Sequence, residues 1–561
     1  MRLRSIAGTV ALFGGISLAL ASCSSSPSSS PGGSSGGSGG SGGSSGSLRI
    51  GTGFQVDSMN PFVAVESSSL AVFKYTYPTL VQSDPQLTIA PNLATSWSHD
   101  SSGLTWTFQL HSGAKWSDGK PLTASDVAWT INTVLKYATG GGAQMSTYLQ
   151  GAKSASAPSS TTLSVKLLSP EAAFLANIAN MPILPRHIWS KYTTGKDGAG
   201  LRTFSNSPTS GHPDVDGGPF VATQYQSSGV SLFTRNTNFY GPAPKISGFG
   251  LEYFSSPDAM ISALKSNQVD AILNAPPSAI ANLKSDSNLV VDTKPALNDS
   301  DFFINDYAKK TSDQELLNPL VHQAFNYAID RQAIVQTAFN GDADPGESPI
   351  PMADTAWYDS SIKPSKFDLA KANSLLDEAG YKKGPNGVRM ADGHPMSYTV
   401  VLATDELGPR TRAFDIIQSD FAKIGVSLKV QVTDDATAAN LEIAPSEKFN
   451  LAMWGWTPPV DPTFMLNTYT CAAFGGWSET AYCSKSYDKL FAEQGASLDA
   501  AKRKRLVDQM QQMLVKDLPE YIYAYEHVND AWNKAWTGFG ETPNGLFSAL
   551  TIDGIDQVHK G

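Results

Sequence analysis

Cysteine is scarce, with three in 561 residues. That excludes a fold held by a disulfide framework and leaves too few thiols for a zinc-finger array. Histidine is sparse as well, eight in all. No two stand at the i, i+4 spacing by which a helix offers paired imidazoles to a metal, so no metal ligand and no cofactor is expected. Charged residues make up only 16%, and 41 Lys and Arg against 51 Asp and Glu leave a net charge of −10. A chain without a basic excess lacks the face that displaces counterions, so no nucleic-acid partner is expected. Past the N-terminal segment no apolar run approaches the roughly 20 residues of a membrane span. Catalytic signatures are missing too: there is no His-Glu-x-x-His, no P-loop and no EF-hand loop. Ser-x-x-Lys recurs (Ser112–Lys115, Ser117–Lys120 and Ser262–Lys265 among others) without its companion elements, which marks it as chance. What the chain has in quantity is glycine (48), proline (34) and aromatics (10%). This is the composition of a loop-rich, exported body, long enough for two or more lobes.

The first segment is an address. Arg2 and Arg4 precede an apolar stretch from Ile6 to Leu20, too short for a comfortable span and suited to a signal h-region. Leu20-Ala21-Ser22-Cys23 follows and resembles the bacterial lipobox, which implies a signal peptide over 1–22 and lipidation of Cys23. Residues 24–47 contain only Ser, Gly and Pro. Such a stretch buries nothing and reaches about 25–30 Å as a random coil, so 23–47 reads as a lipid-anchored tether. Gly39-Gly40-Ser41-Gly42-Gly43 inside it matches the hydrolase elbow pattern only through low complexity.

Strands and helices alternate along the body, which predicts an α/β fold. Leu48-Arg49-Ile50 opens a strand. Leu104, Trp106, Phe108 and Leu110 alternate with polar residues as in a half-buried strand. Thr123 and Asp126 form a capping-box pattern ahead of a helix to about Lys136, stopped by Gly140–Gly142. Asn318-Pro319, Asp330 and Asp368 predict three further helix starts, and Gly380 and Gly425 two stops. Val426, Leu428, Val430 and Val432 alternate as a strand. Leu506, Met510, Met513 and Leu514 mark a late helix, and Tyr521–Tyr525 a late strand.

Several stretches, in order, resemble the solute-binding proteins of the peptide/nickel class of ABC importers, family 5. They include Tyr77–Leu80, Ala90–Trp97, Leu104–Leu110, Gly113–Leu122, Gly218–Phe220, Val269–Ala271, Ala324–Arg331, Ala372–Tyr381, Gly455-Trp456 and Asp461-Pro462. The resemblance runs from about residue 48 to 560. It implies a two-lobed periplasmic-binding-protein clamshell of the large class, with an extra subdomain in lobe one. Lobe one would take 48–298 and 521–561 and lobe two 299–520, with crossovers near Leu297–Phe303 and Pro519–Tyr525. The function implied is non-enzymatic: a monomeric lipoprotein at the outer face of the cytoplasmic membrane captures a short peptide and delivers it to a membrane permease. An oligosaccharide ligand is the alternative. An exported hydrolase is the second, and would need a carboxylate pair or an activated serine that the sequence does not display.

The expected ligand site is the stretch Trp454, Gly455, Trp456, Thr457 and Asp461. Two tryptophans two residues apart on a strand point to one face, with Gly455 leaving backbone open between them; the other reading is that both are core side chains. In peptide-binding relatives an aspartate just before the Asp-Pro pair holds the ligand's ammonium. Here Pro458-Pro459-Val460 stands in its place and Asp461 matches the structural Asp-Pro, which puts ammonium recognition in doubt. The resemblance also implies a disulfide between Cys471 and Cys483, with Trp477 in the loop they close as a third ligand-facing aromatic. Asp57 reads as a turn residue and His527 as a surface histidine.

Overall fold

The computed structural model describes residues 46–209, 211–212, 214–403, 408–442, 449–540, 543, 545–547 and 554–561. The expected signal peptide, Cys23 and nearly all of the tether lie outside the described residues. Among those described, no helix is long and apolar enough to cross a membrane.

One large mixed sheet runs through the body. Its order is Ser427–Thr433, Ser397–Ala403, Leu451–Trp454, Leu289–Ile304, Glu520–Asn533, Ala271–Ile272, Ser47–Thr52, Gly248–Tyr253, Val230–Arg235 and Phe220–Gln224. Two long antiparallel strands, Leu289–Ile304 and Glu520–Asn533, join its two ends. They pair from Leu289 opposite Asn533 to Phe303 opposite Glu520, and the register slips between Pro295 and Asp299 and again between Ser300 and Asp301. Proline has no N–H for the ladder, so a break at Pro295 is where a paired strand yields first.

Apolar side chains collect in two main cores on either side of that slip. One gathers residues from Leu48 to Leu273 and, from the chain end, Trp536, Leu546 and Ile555. The other is built from Phe302, Val321, Phe325, Leu376, Val400, Phe421 and Tyr521. A separate four-stranded sheet, in the order Ala94–His99, Thr105–Leu110, Thr162–Leu167, Ala152–Ser156, belongs to the first half. The helix Ala124–Lys136 packs on it. Trp106, Phe108 and Leu110 are buried there and Gln109 is exposed, the period-two pattern read in the sequence.

Local signals translate directly into elements. The Thr123 N–H donates to Asp126 Oδ2 at 2.9 Å. The Asn318, Asp330 and Asp368 side chains accept from Leu320, Ala333 and Lys371 N–H groups and start the helices Pro319–Tyr327, Arg331–Ala338 and Leu369–Glu378. Gly380 and Gly425 follow helix ends at φ +88° and +84°. Two details go beyond the sequence pattern. The helix ends at Lys136, as expected, and does so ahead of the glycine run; a Cβ on Gly141 would lie 2.0 Å from the Gly198 carbonyl oxygen, so these glycines admit a neighbouring segment. On the strand Ser427–Thr433, Leu428 is buried but Val430 and Val432 are exposed, because the strand lies at the sheet's edge and overruns the core.

Candidate functional site

The strand Leu451–Trp454 lies against Leu289–Ile304, Trp454 opposite Asp301. The Trp454 N–H donates to Asp301 Oδ1 at 3.1 Å and the Trp456 N–H to Asp299 Oδ1 at 2.9 Å. Gly455 sits between them for a reason other than ligand access: a Cβ there would meet Arg410 Nη2 at 2.1 Å and the Asp299 carbonyl oxygen at 2.4 Å. Trp454 packs on the small cluster of Phe303, Val401 and Phe449. Trp456 instead meets Phe464 and Trp477 edge-on, with centroids 5.6 and 6.1 Å away, and its Nε1–H donates to Glu479 at 3.1 Å. The two indoles therefore have different neighbours and do not make one platform.

Asp461 is consumed by structure. Arg503 donates to both its carboxylate oxygens at 2.7 Å, the pair is buried, and the Thr463 N–H caps Oδ1. A carboxylate so occupied is not offered to a ligand, which corrects its place in the expected site and agrees with its match to the structural Asp-Pro. Cys471 and Cys483 are joined in a disulfide, and Trp477 in the loop between them is 55% exposed. Asp57 accepts from the Val65 and Glu66 N–H groups and the Ser69 hydroxyl at the head of the helix Ser67–Thr76. His527, expected at the surface, is mostly buried between Asp342 and Asp344.

A cavity between the two halves of the chain lies beside these residues rather than over them. It holds about 550 Å³, within the range of about 300–1,000 Å³ usual for small-ligand pockets. Thr457, Pro458 and Pro459 form one wall, and Phe54, Leu70, Phe73 and Tyr148 from the first half and Phe547 from the chain end supply apolar surface. Trp454, Gly455, Trp456, Asp461 and Trp477 do not line it. Of the expected site, Thr457 alone does.

Two ionisable groups that the sequence reading missed line this cavity, Lys74 and Asp530. The Lys74 ammonium donates to the Ala179 carbonyl at 2.7 Å, and burial pulls its pKa down to about 7. Burial raises Asp530 to about 6, while the Leu546 and Asn274 N–H groups, donating at 2.7 and 3.0 Å, hold it back. Lys74 had a faint signal: it is a lone cation in Leu70-Ala-Val-Phe-Lys-Tyr75, where every neighbour is apolar or aromatic. Asp530 had none, since His527-Val-Asn-Asp530 reads as an ordinary strand end.

Under the Trp454–Trp456 segment lies an acid cluster. Asp299 and Asp301 are buried and Glu520 partly so, all three on the two long paired strands. Burial and then mutual repulsion push Asp299 and Asp301 well above the carboxylate range and Glu520 up to about 8. The Tyr469 hydroxyl donates to Glu520.

Residues 88–476, more than half of the chain, match the family described as bacterial extracellular solute-binding proteins, family 5 Middle. Protein XP55 of Streptomyces lividans is 28% identical over 498 residues, 88% of this chain and 86% of that protein. The dipeptide-binding protein of Escherichia coli is 26% identical over 483 residues, 82% of this chain and 84% of its own length. The structure of DppA from Helicobacter pylori in complex with the peptide STSA superposes with a TM-score of 0.71 at 23% identity, covering 92% of this chain and 98% of that one. With its two cores, its two long paired strands and this match, the chain belongs to the family 5 bacterial extracellular solute-binding proteins and is a two-lobed binding protein, not an enzyme.

Proposed function

We propose that the cavity captures a short peptide, with Lys74 as the partner of a ligand carboxylate. The observation that carries this is a buried ammonium lining an otherwise largely apolar and aromatic cavity of about 550 Å³. A buried lysine pulled down to about 7 gains most when an anion arrives, because the incoming charge offsets the desolvation that lowered it. Apolar walls accept side chains of differing shape, as a peptide carrier must. The names of the dipeptide-binding relative and of the peptide-bound structure support the same class. Thr457–Pro459 comes from the half opposite the helix Ser67–Thr76, so a ligand touching both favours the closed arrangement by its differential affinity. The slip at Pro295–Asp299 is the hinge in this reading, and lobe one would take 48–298 and 521–561 and lobe two 299–520. The closed form would dock on an ABC permease, with Cys23 lipidated and the body tethered outside the membrane.

A thermal-shift screen against di- to pentapeptides, their C-terminal amides and α- and β-linked oligosaccharides tests the reading. A ligand at 100 times its Kd adds about 2.7 kcal/mol, so free-acid peptides should raise Tm and amides should not. A response to sugars with silent peptides would shift the site to the half-buried Trp456 and Phe464 rings and the exposed Trp477 and overturn it.

A further inference from the structure

A second cluster of ligating side chains stands in the second half of the body, apart from the cavity. Asp313, Glu315 and His394 each point one donor atom into a common space, and these atoms lie within 4.8 Å of one another. None of the three lines that cavity. Asp313 and Glu315 belong to the turn and 3₁₀ segment ahead of the helix Pro319–Tyr327, and His394 to the short hairpin of Met390–Ala391 and His394–Pro395. A cleft lined by Asp313, Asp392 and His394 opens the site to water.

Glu315 is the informative member. Its side chain is wholly buried. Oε1 accepts from the Tyr398 hydroxyl at 2.6 Å, while Oε2 is buried with no hydrogen-bond partner among the described residues. A buried carboxylate oxygen left so is costly unless something positive compensates it. What faces it is His394 Nε2, at 3.6 Å, too far for a hydrogen bond. The other ring nitrogen, Nδ1, is directed at the Pro395 carbonyl at 3.4 Å. A proton on Nδ1 turns the Nε2 lone pair toward the Glu315 lone pairs, an arrangement that needs a cation between them. Two donors at about 2.0–2.1 Å from a tetrahedral ion stand about 3.3–3.4 Å apart, close to the separation found.

We propose that Asp313, Glu315 and His394 bind a divalent metal ion of the zinc type, which pins the Met390–Pro395 hairpin to the turn ahead of Pro319–Tyr327. One imidazole and two carboxylates suit zinc better than the harder magnesium or calcium. The supporting bonds are those a metal site needs to orient its ligands: Tyr398 on Glu315, the Asn450 amide on Asp313 Oδ2 at 2.8 Å, and the Pro395 carbonyl on His394. The sequence hides the site because its donors, 313, 315 and 394, come from two distant loops.

The test uses the untagged protein stripped of metal and titrated with zinc chloride, with bound zinc measured by elemental analysis. One zinc per chain and a rise in Tm are expected. His394→Ala should weaken binding at least about 100-fold and Tyr398→Phe about tenfold, with peptide affinity unchanged in both. Cobalt should give a visible absorption band in the wild-type chain that His394→Ala lacks. Failure of the wild-type chain to retain zinc, or equal zinc binding by His394→Ala, would overturn the proposal and leave His394 and Glu315 as a proton-mediated ion pair.

Discussion

Lys74 and Asp461 show how a residue's meaning depends on what surrounds it. Asp461 stands in a recognisable motif, yet its carboxylate is held by Arg503 from 42 residues further on, and Arg503 also lies over the Trp357 ring at 4.6 Å. Arg503→Ala leaves a buried carboxylate uncompensated. It should cost about 3–5 kcal/mol in denaturant unfolding of the second half; a loss within about 0.5 kcal/mol would show the pair to be dispensable. Gly455 was legible as a required glycine but not for its reason, because Arg410 and Asp299 approach it from elsewhere in the chain. Lys74 left only a faint signal because a lysine on a short helix is normally solvated, and its burial comes from distant contacts such as the Ala179 carbonyl.

At the scale of elements, sequence legibility follows locality. Helix starts at Thr123, Asn318, Asp330 and Asp368 rest on bonds spanning two or three residues, and all four are present. The edge position of Ser427–Thr433 and the pairing of Leu289–Ile304 with Glu520–Asn533 are set by partners far away in sequence, and no local pattern encodes them. The two long paired strands also carry buried acids. Asp299, Asp301 and Glu520 hold protons in the folded protein at pH values where the unfolded chain has lost them. A carboxyl raised on folding stabilises fully below its unfolded pKa, and that contribution is lost as pH rises through the folded value. The body should therefore lose stability from about pH 4.5 to about pH 8. Asp301→Asn should flatten that slope in thermal melts. An equal slope in the variant would place the pH dependence elsewhere.

At the scale of the whole molecule, the two-lobed plan was readable because motifs spread over most of the chain agree with one another and with the family match. The cavity was not, because its walls come from stretches as far apart as Phe54, the helix Ser67–Thr76, Tyr148, Thr457–Pro459, Asp530 and Phe547, which only the fold assembles. That assembly places an ammonium lowered to about 7 against the ligand space, and the central claim is that this group receives the peptide's carboxylate. An anion binds the protonated form, so affinity should be full below the free-state pKa and fall as pH rises past it. The direct measurement is calorimetric titration of a free-acid peptide at about pH 6 and about pH 8.5, on the wild-type chain and on Lys74→Met. The account predicts that wild-type affinity falls by about tenfold or more across that range, while Lys74→Met binds weakly and equally at both. Equal affinity at both pH values in the wild type, unchanged by Lys74→Met, would contradict it.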